Sequence, residues 1–227
     1  MRSIYVPARS AEDWRHFLAE PDKQWRTGYS AKTLAYCWQE ANGFPASVQK
    51  AFLNSGSATF KRIDPILIIP EYKVNLPGGG AASQNDIFVL AKSADQLVSI
   101  TIEGKVDEPF DKPVSGWYQN PSAGKVKRLE FLCSELNVSA DDVMGIPYQL
   151  LHRTVSAKLL ARQFQAGIAL MMVHSFSPQD MWFDEYAKFA ALFGIKAEIG
   201  TIQHAQLFDG LVLYLGWAKG DMEYLKK

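Results

Sequence analysis

The sequence predicts an α/β domain in which helices flank a central mixed β-sheet. Three observations predict it. Apolar stripes at helical spacing occupy separate stretches near both ends of the chain. Between them lie three β-rich segments in close succession. A continuous apolar run over residues 168–174 has the composition of a strand buried on both faces.

The elements follow in order. Ser10 with Asp13 reads as the start of a short helix reaching Leu18. Ser30 reads as the N-cap of a helix over 31–42, with Leu34, Cys37, Trp38 and Ala41 on its apolar face and Gly43 and Pro45 ending it. A second helical piece covers 46–53. Strands are expected at 63–72, 87–91 and 97–106; Pro65 and Pro70 make the first an edge strand or a broken one. Gly78, Gly79 and Gly80 read as a flexible connection leading toward Asp86, without the following Lys-Ser/Thr of a P-loop. A helix over 125–136 ends at Asn137. Pro147 opens another that runs to about 164, with Leu150, Leu151, Val155, Leu159 and Leu160 on its buried side. After the buried run at 168–174, Ser177 and Pro178 open an amphipathic helix, and 211–217 is the last strand.

The chain has 227 residues, 48% of them hydrophobic and 21% charged, which fits one domain spanning 1–227 and excludes wholesale disorder. Lys and Arg together number 24, as do Asp and Glu, so the excess of basic residues typical of a chain that coats nucleic acid is absent. The two cysteines, Cys37 and Cys133, have no metal spacing and read as buried thiols in a reducing compartment. The first ten residues lack the apolar core of a signal peptide, and no apolar run approaches the length of a membrane span. A cytoplasmic location with no membrane partner is the expectation.

The chemistry concentrates in Asn85-Asp86 and Glu103-Gly104-Lys105. A hairpin turn centred between Ala94 and Asp95 sets Asp86 directly opposite Glu103 at the open end of the hairpin. Opposed side chains there have Cβ atoms about 5 Å apart. Lys105 points to the same face as Glu103 because side chains alternate along a strand. Two carboxylates held that close repel each other unless a lysine or a divalent cation compensates. Mg²⁺ suits such a place, since one or two carboxylates, a carbonyl and waters satisfy it.

Asp86, a spacer of sixteen residues, and Glu103-Gly104-Lys105 resemble the bipartite signature of the PD-(D/E)xK nuclease superfamily, which includes many restriction endonucleases. Asn85 stands where the signature has proline. The resemblance covers residues 31–175 and implies a restriction-endonuclease-like αβββαβ core: a helix, a three-stranded meander, a helix, then a strand. It also implies a metal-dependent endonuclease-like phosphodiester hydrolase. Asp86 and Glu103 would bind Mg²⁺ (or Mn²⁺) with the Gly104 carbonyl, Lys105 would assist the attacking water, and Glu40 on the first helix would support the metal. Gln149 and Arg153, four apart on the helix after the motif, would touch phosphate. The implied partner is nucleic acid, DNA ahead of RNA, and a homodimer follows from the need to cut two strands.

Plainer readings exist for each residue. Ser99, Thr101, Glu103 and Lys105 also fit the solvated face of a half-buried strand, and Glu40, Gln149 and Arg153 fit exposed helix faces. Lys125, Lys127 and Arg128 read as a solvated run, and His152 and His174 as structural histidines. Two other functions share the same residues: a catalytically inactive protein of this fold that binds nucleic acid or a protein, and an unrelated α/β small-molecule binder.

Overall fold

A computed structural model describes residue 4, residues 8–94 and residues 96–227. Most of the N-terminal segment read for a leader, and the turn residue Asp95, lie outside the described residues. The helices are α1 (Pro21–Gln24), α2 (Ser30–Ala41), α3 (Ala46–Asn54), α4 (Ala58–Lys61), α5 (Val114–Trp117), α6 (Ala123–Leu136), α7 (Tyr148–Gln163) and α8 (Phe183–Ala191). The strands are β1 (Ile63–Val74), β2 (Ser83–Ser93), β3 (Gln96–Lys105), β4 (Ile168–Ser175), β5 (Thr201–Phe208) and β6 (Leu211–Lys219). They form one six-stranded sheet in the order β1-β2-β3-β4-β6-β5. The first three make an antiparallel meander, β3, β4 and β6 run parallel, and β5 returns antiparallel on β6. The expected class, a mixed sheet flanked by helices, is the observed one.

Sequence chemistry explains the layout. Pro65 and Pro70 lack the N–H that a central strand must donate, and β1 is indeed an edge, with an irregularity between Pro65 and Leu67. Asn42 and Asn137 take the left-handed conformation that ends α2 and α6. β4 is buried along its whole length. Its Leu170 and Met172 face a core shared with Leu34, Trp38, Val48 and Phe52 of α2 and α3. Met171 and Val173 face the opposite core, with Leu150, Leu151 and Val155 of α7.

Two elements depart from the sequence reading. The stretch after Ser177 is not yet helix: Asp180 and Trp182 adopt positive φ, and α8 starts only at Phe183. Strand β5 was not expected. Its polar, partly exposed sequence TIQHAQLF belongs to the other sheet edge. The legible signal was Asp209-Gly210, a two-residue turn with φ of 44° and 84° that joins the Phe208↔Leu211 pair. Among the described residues, no helix is long and apolar enough to cross a membrane.

Candidate active site

The meander delivers the expected register: Ile87 pairs with Ile102 and Ser93 with Gln96. Continued one step, it brings Asp86 to Glu103, and the Gly104 N–H donates to Asp86 Oδ2 at 2.7 Å. The next parallel strand continues level with them, Gly104 beside His174 and Lys105 beside Ser175. The site therefore lies at the carboxyl end of the parallel strands, where open α/β sheets place their ligands.

Helix α7 covers the polar side of β3, and this corrects the solvated-face reading. Ser99 donates to the Ala157 carbonyl at 2.9 Å and Thr101 to the Arg153 carbonyl at 3.2 Å. Glu103 and Lys105 are 2% and 4% exposed. A buried ion needs partners, and α7 supplies them. Lys105 Nζ lies 2.8 Å from Glu103 Oε1, Gln149 Nε2 donates to the same oxygen at 2.7 Å, and Arg153 Nε donates to Glu103 Oε2 at 2.7 Å. Arg153 Nη2 stands 4.0 Å from Asp86 Oδ1, and Lys105 Nζ also donates to Gln149 Oε1 at 3.2 Å. Five of the seven singled-out residues thus converge through their side chains, and Gly104 joins them through its backbone. Gln149 and Arg153 are bound to the cluster, not to solvent.

Glu40 is not brought there. It is exposed on α2 and pairs with Lys227 at 3.3 Å, because its side of the helix faces the C-terminus of the chain. A different carboxylate, Glu71, joins the cluster. It lies between the pairs Pro70↔Ile87 and Tyr72↔Asn85, level with Asp86, with φ of 53°, and accepts from Gln84 Nε2 at 2.6 Å. The only sequence signal for Glu71 was its place one residue after Pro70, in a strand read as broken.

Three carboxylates therefore face two cations. Burial, then Glu103, pushes Asp86 up to about 7, against the pull of Arg153 and Lys105. Burial and Asp86 raise Glu71 well above the usual carboxylate range. Burial also works against Glu103, yet Lys105 and Arg153 outweigh it and hold that group low. The cations thus favour the charge on Glu103, while burial opposes it on Asp86 and Glu71. Together these groups line a cavity of about 400 Å³ that reaches Tyr29 and Ser30 at the start of α2. Among the described residues, no group of three or more His, Cys, Asp or Glu is disposed to hold a metal ion.

The glycine loop and its surroundings are corrected as well. Arg128 is buried, not solvated. Its guanidinium donates to the carbonyls of Leu76, Pro77, Gly79 and Ala81 and so fixes the loop in place. Gly78 and Gly124 meet so closely that a Cβ on either would strike the other's carbonyl oxygen. The thiols behave as expected: both are buried, and burial pushes Cys37 up to about 12.

The chain belongs to the family described as domain of unknown function (DUF6946), which matches residues 7–222. No curated protein and no solved structure matches it.

Proposed function

We propose that this protein hydrolyses phosphodiester bonds of nucleic acid with a bound Mg²⁺ or Mn²⁺ ion, in the manner of PD-(D/E)xK nucleases. The observation that carries the reading is the convergence of Glu71, Asp86, Glu103, Lys105, Gln149 and Arg153 in one cavity, three carboxylates against two buried cations. Perturbed acids buried in a cleft are what catalytic sites require. The order of helix, antiparallel meander, crossover helix and parallel strand supports the restriction-endonuclease-like core.

The donor set fits a small hard cation. Mg²⁺ keeps several waters and takes only one or two carboxylates, so no dedicated cage is needed. Asp86 and Glu103 would hold it with the Gly104 carbonyl, and Glu71, level with Asp86, would stand beside it without ligating. When bound, the ion supplies positive charge at the phosphoryl oxygen and lowers the pKa of a bound water. Lys105, with two of its N–H groups given to Glu103 and Gln149, would offer its remaining N–H and its charge to the attacking water and the developing charge. Gln149 orients Lys105 through its side-chain oxygen. Arg153 divides its guanidinium among Glu103, Asp86 and Ser83, and its Nη2, 4.0 Å from Asp86, is the part that would pass to a phosphate. DNA is the proposed substrate ahead of RNA.

One observation favours a second reading, a non-catalytic binder on the same fold. Glu103 already gives both oxygens to Lys105, Gln149 and Arg153. Calorimetric titration with Mn²⁺, beside a cleavage assay on end-labelled DNA and RNA, separates the two. The wild type should take up the ion and cut, and the double Asp86→Ala, Glu103→Ala variant should do neither. Cleavage that survives the double substitution ends the nuclease reading. A wild type that binds nucleic acid but no ion leaves the binder.

A further inference from the structure

A second cavity, of about 490 Å³, lies on the other side of Ser83 from the acid cluster. Its size falls within the roughly 300–1,000 Å³ of small-molecule sites. The floor is one face of α7. Tyr148 and His152, four apart, line this cavity, while Gln149 and Arg153, each one residue further on, line the acid cavity. Ser83 joins the two sides. Its hydroxyl meets His152 Nδ1 at 2.8 Å and receives Arg153 Nη1 at 3.2 Å.

The walls are flat and aromatic. Trp117 stacks on Tyr148 at 4.1 Å with 9° between the planes, and Tyr148 is followed by the His152 ring at 4.8 Å. Burial, with Arg153 and Arg128 nearby, lowers His152 well below its ordinary pKa, so the ring is neutral. The backbone of Gly78, Gly79 and Gly80 also lines the cavity, and Arg128 bonds to carbonyls of this loop. Arg128 spends its guanidinium on loop carbonyls and is not available to bind an anion. The cavity is thus lined by the Trp117–Tyr148 stack, with Lys125 Nζ 5.4 Å from the Trp117 ring centre, and by the glycine-loop backbone, whose N–H groups Arg128 leaves unused.

We propose that this cavity takes one unpaired nucleobase of the strand whose phosphate lies at Arg153, which makes single-stranded nucleic acid the substrate class. The proposal rests on the nuclease reading of the neighbouring site. A base inside a duplex has its faces covered by its neighbours and cannot enter such a pocket without leaving the stack. An unpaired base can extend an aromatic column, and its edge can bond to peptide groups. The i, i+4 pairs on α7 place the base pocket and the phosphate contacts on neighbouring faces of one helix, joined through Ser83.

The test is binding in the absence of divalent ions. The probes are a short fluorescein-labelled single-stranded DNA, the same sequence as a duplex, and thymidine 5′-monophosphate. The single strand should bind at least about tenfold tighter than the duplex, and Trp117→Ala should remove about tenfold of that affinity. Trp117→Phe should restore it. Trp117→Leu keeps apolar contact with Tyr148 and should lose as much as Trp117→Ala, so it serves if the alanine variant folds poorly. A duplex preference, unchanged binding by Trp117→Leu at an unchanged thermal midpoint, or monophosphate bound as tightly as the strand would each overturn the proposal. The two readings fail separately. Single-strand binding that needs Trp117, without cleavage under Mn²⁺, removes catalysis and keeps the pocket; cleavage with Trp117-independent binding does the reverse.

Discussion

Two buried polar clusters sit side by side at the same end of the sheet, on its opposite faces. On the α2 and α3 side, His174 is fully buried, receives Trp38 Nε1 at 3.1 Å and meets Ser47 Oγ at 2.9 Å. On the α7 side are Glu71, Asp86, Glu103, Lys105 and Arg153. The first cluster is neutral: burial drives His174 down to about 3, and each ring nitrogen has one partner. The second is ionic and ends one cation short. Both obey the rule that buried polar groups find partners, so burial alone does not mark a site. The uncompensated carboxylate does, because it leaves binding energy for something the chain does not carry.

Arg153→Met tests this most severely. It removes the cation that faces Glu103 and Asp86 and leaves buried charge unpaired, which should destabilise the fold by about 3–5 kcal/mol at pH 8. At pH 5 Asp86 is protonated and Glu71 is raised in the same direction, so less charge is stranded and the loss should shrink. Urea midpoints at the two pH values measure both. A loss of equal size at pH 5 and pH 8 would mean that the acids are already compensated and that the contrast with His174 is false.

His174→Ala comes next. It empties a buried ring site and strands the Trp38 N–H, so about 3 kcal/mol should be lost in the same urea experiment. The proposed nucleic-acid cleavage, measured well below the new midpoint, should be untouched. A folded His174→Ala protein that no longer cuts would move His174 from support to mechanism.

How much of this was legible follows from where partners come from. The Asp86–Glu103 register could be read because a two-residue hairpin leaves only one way to count, and Ile87↔Ile102 bears the count out. The proline-marked edge strand and the buried run of β4 were readable because backbone donors and continuous apolarity are local properties. What covers a face is not local. The alternation of Ser99, Thr101, Glu103 and Lys105 is identical whether water or α7 lies above it, and only the crossover decided that. Glu40 and Glu71 show the same limit: both are glutamates near the meander, but Glu40 turns toward Lys227 while a positive φ turns Glu71 into the cluster. Arg128 read as part of a basic run because its partners are loop carbonyls, which leave no trace in side-chain pattern.

The smallest predicted effect is also the most discriminating. Asp86→Asn keeps an oxygen for the Gly104 N–H but cannot ionise. Asp86 is raised from 3.8 to about 7 in the folded protein, so the folded state holds a proton that the unfolded chain has released. Its contribution to stability is present below pH 3.8 and is lost as pH rises through about 7. The variant should therefore match the wild type near pH 4 and exceed it by about 1 kcal/mol at pH 8, a modest figure because Glu71 shares the same proton. His174 runs the other way. With its folded value lowered from 6.5 to about 3, its stability is present above 6.5 and is lost as pH falls toward 3, so the penalty of His174→Ala should grow with pH over that window. Thermal midpoints of the three proteins across pH 4 to 8 display both slopes. Added Mg²⁺ should raise the wild-type midpoint at pH 8 and leave that of Asp86→Asn almost where it was, because the ion takes the place of a proton that Asp86 gives up and asparagine cannot. A variant less stable than the wild type at pH 8 would show that Asp86 is paired as completely as His174, and the surplus charge that distinguishes the two clusters would not exist.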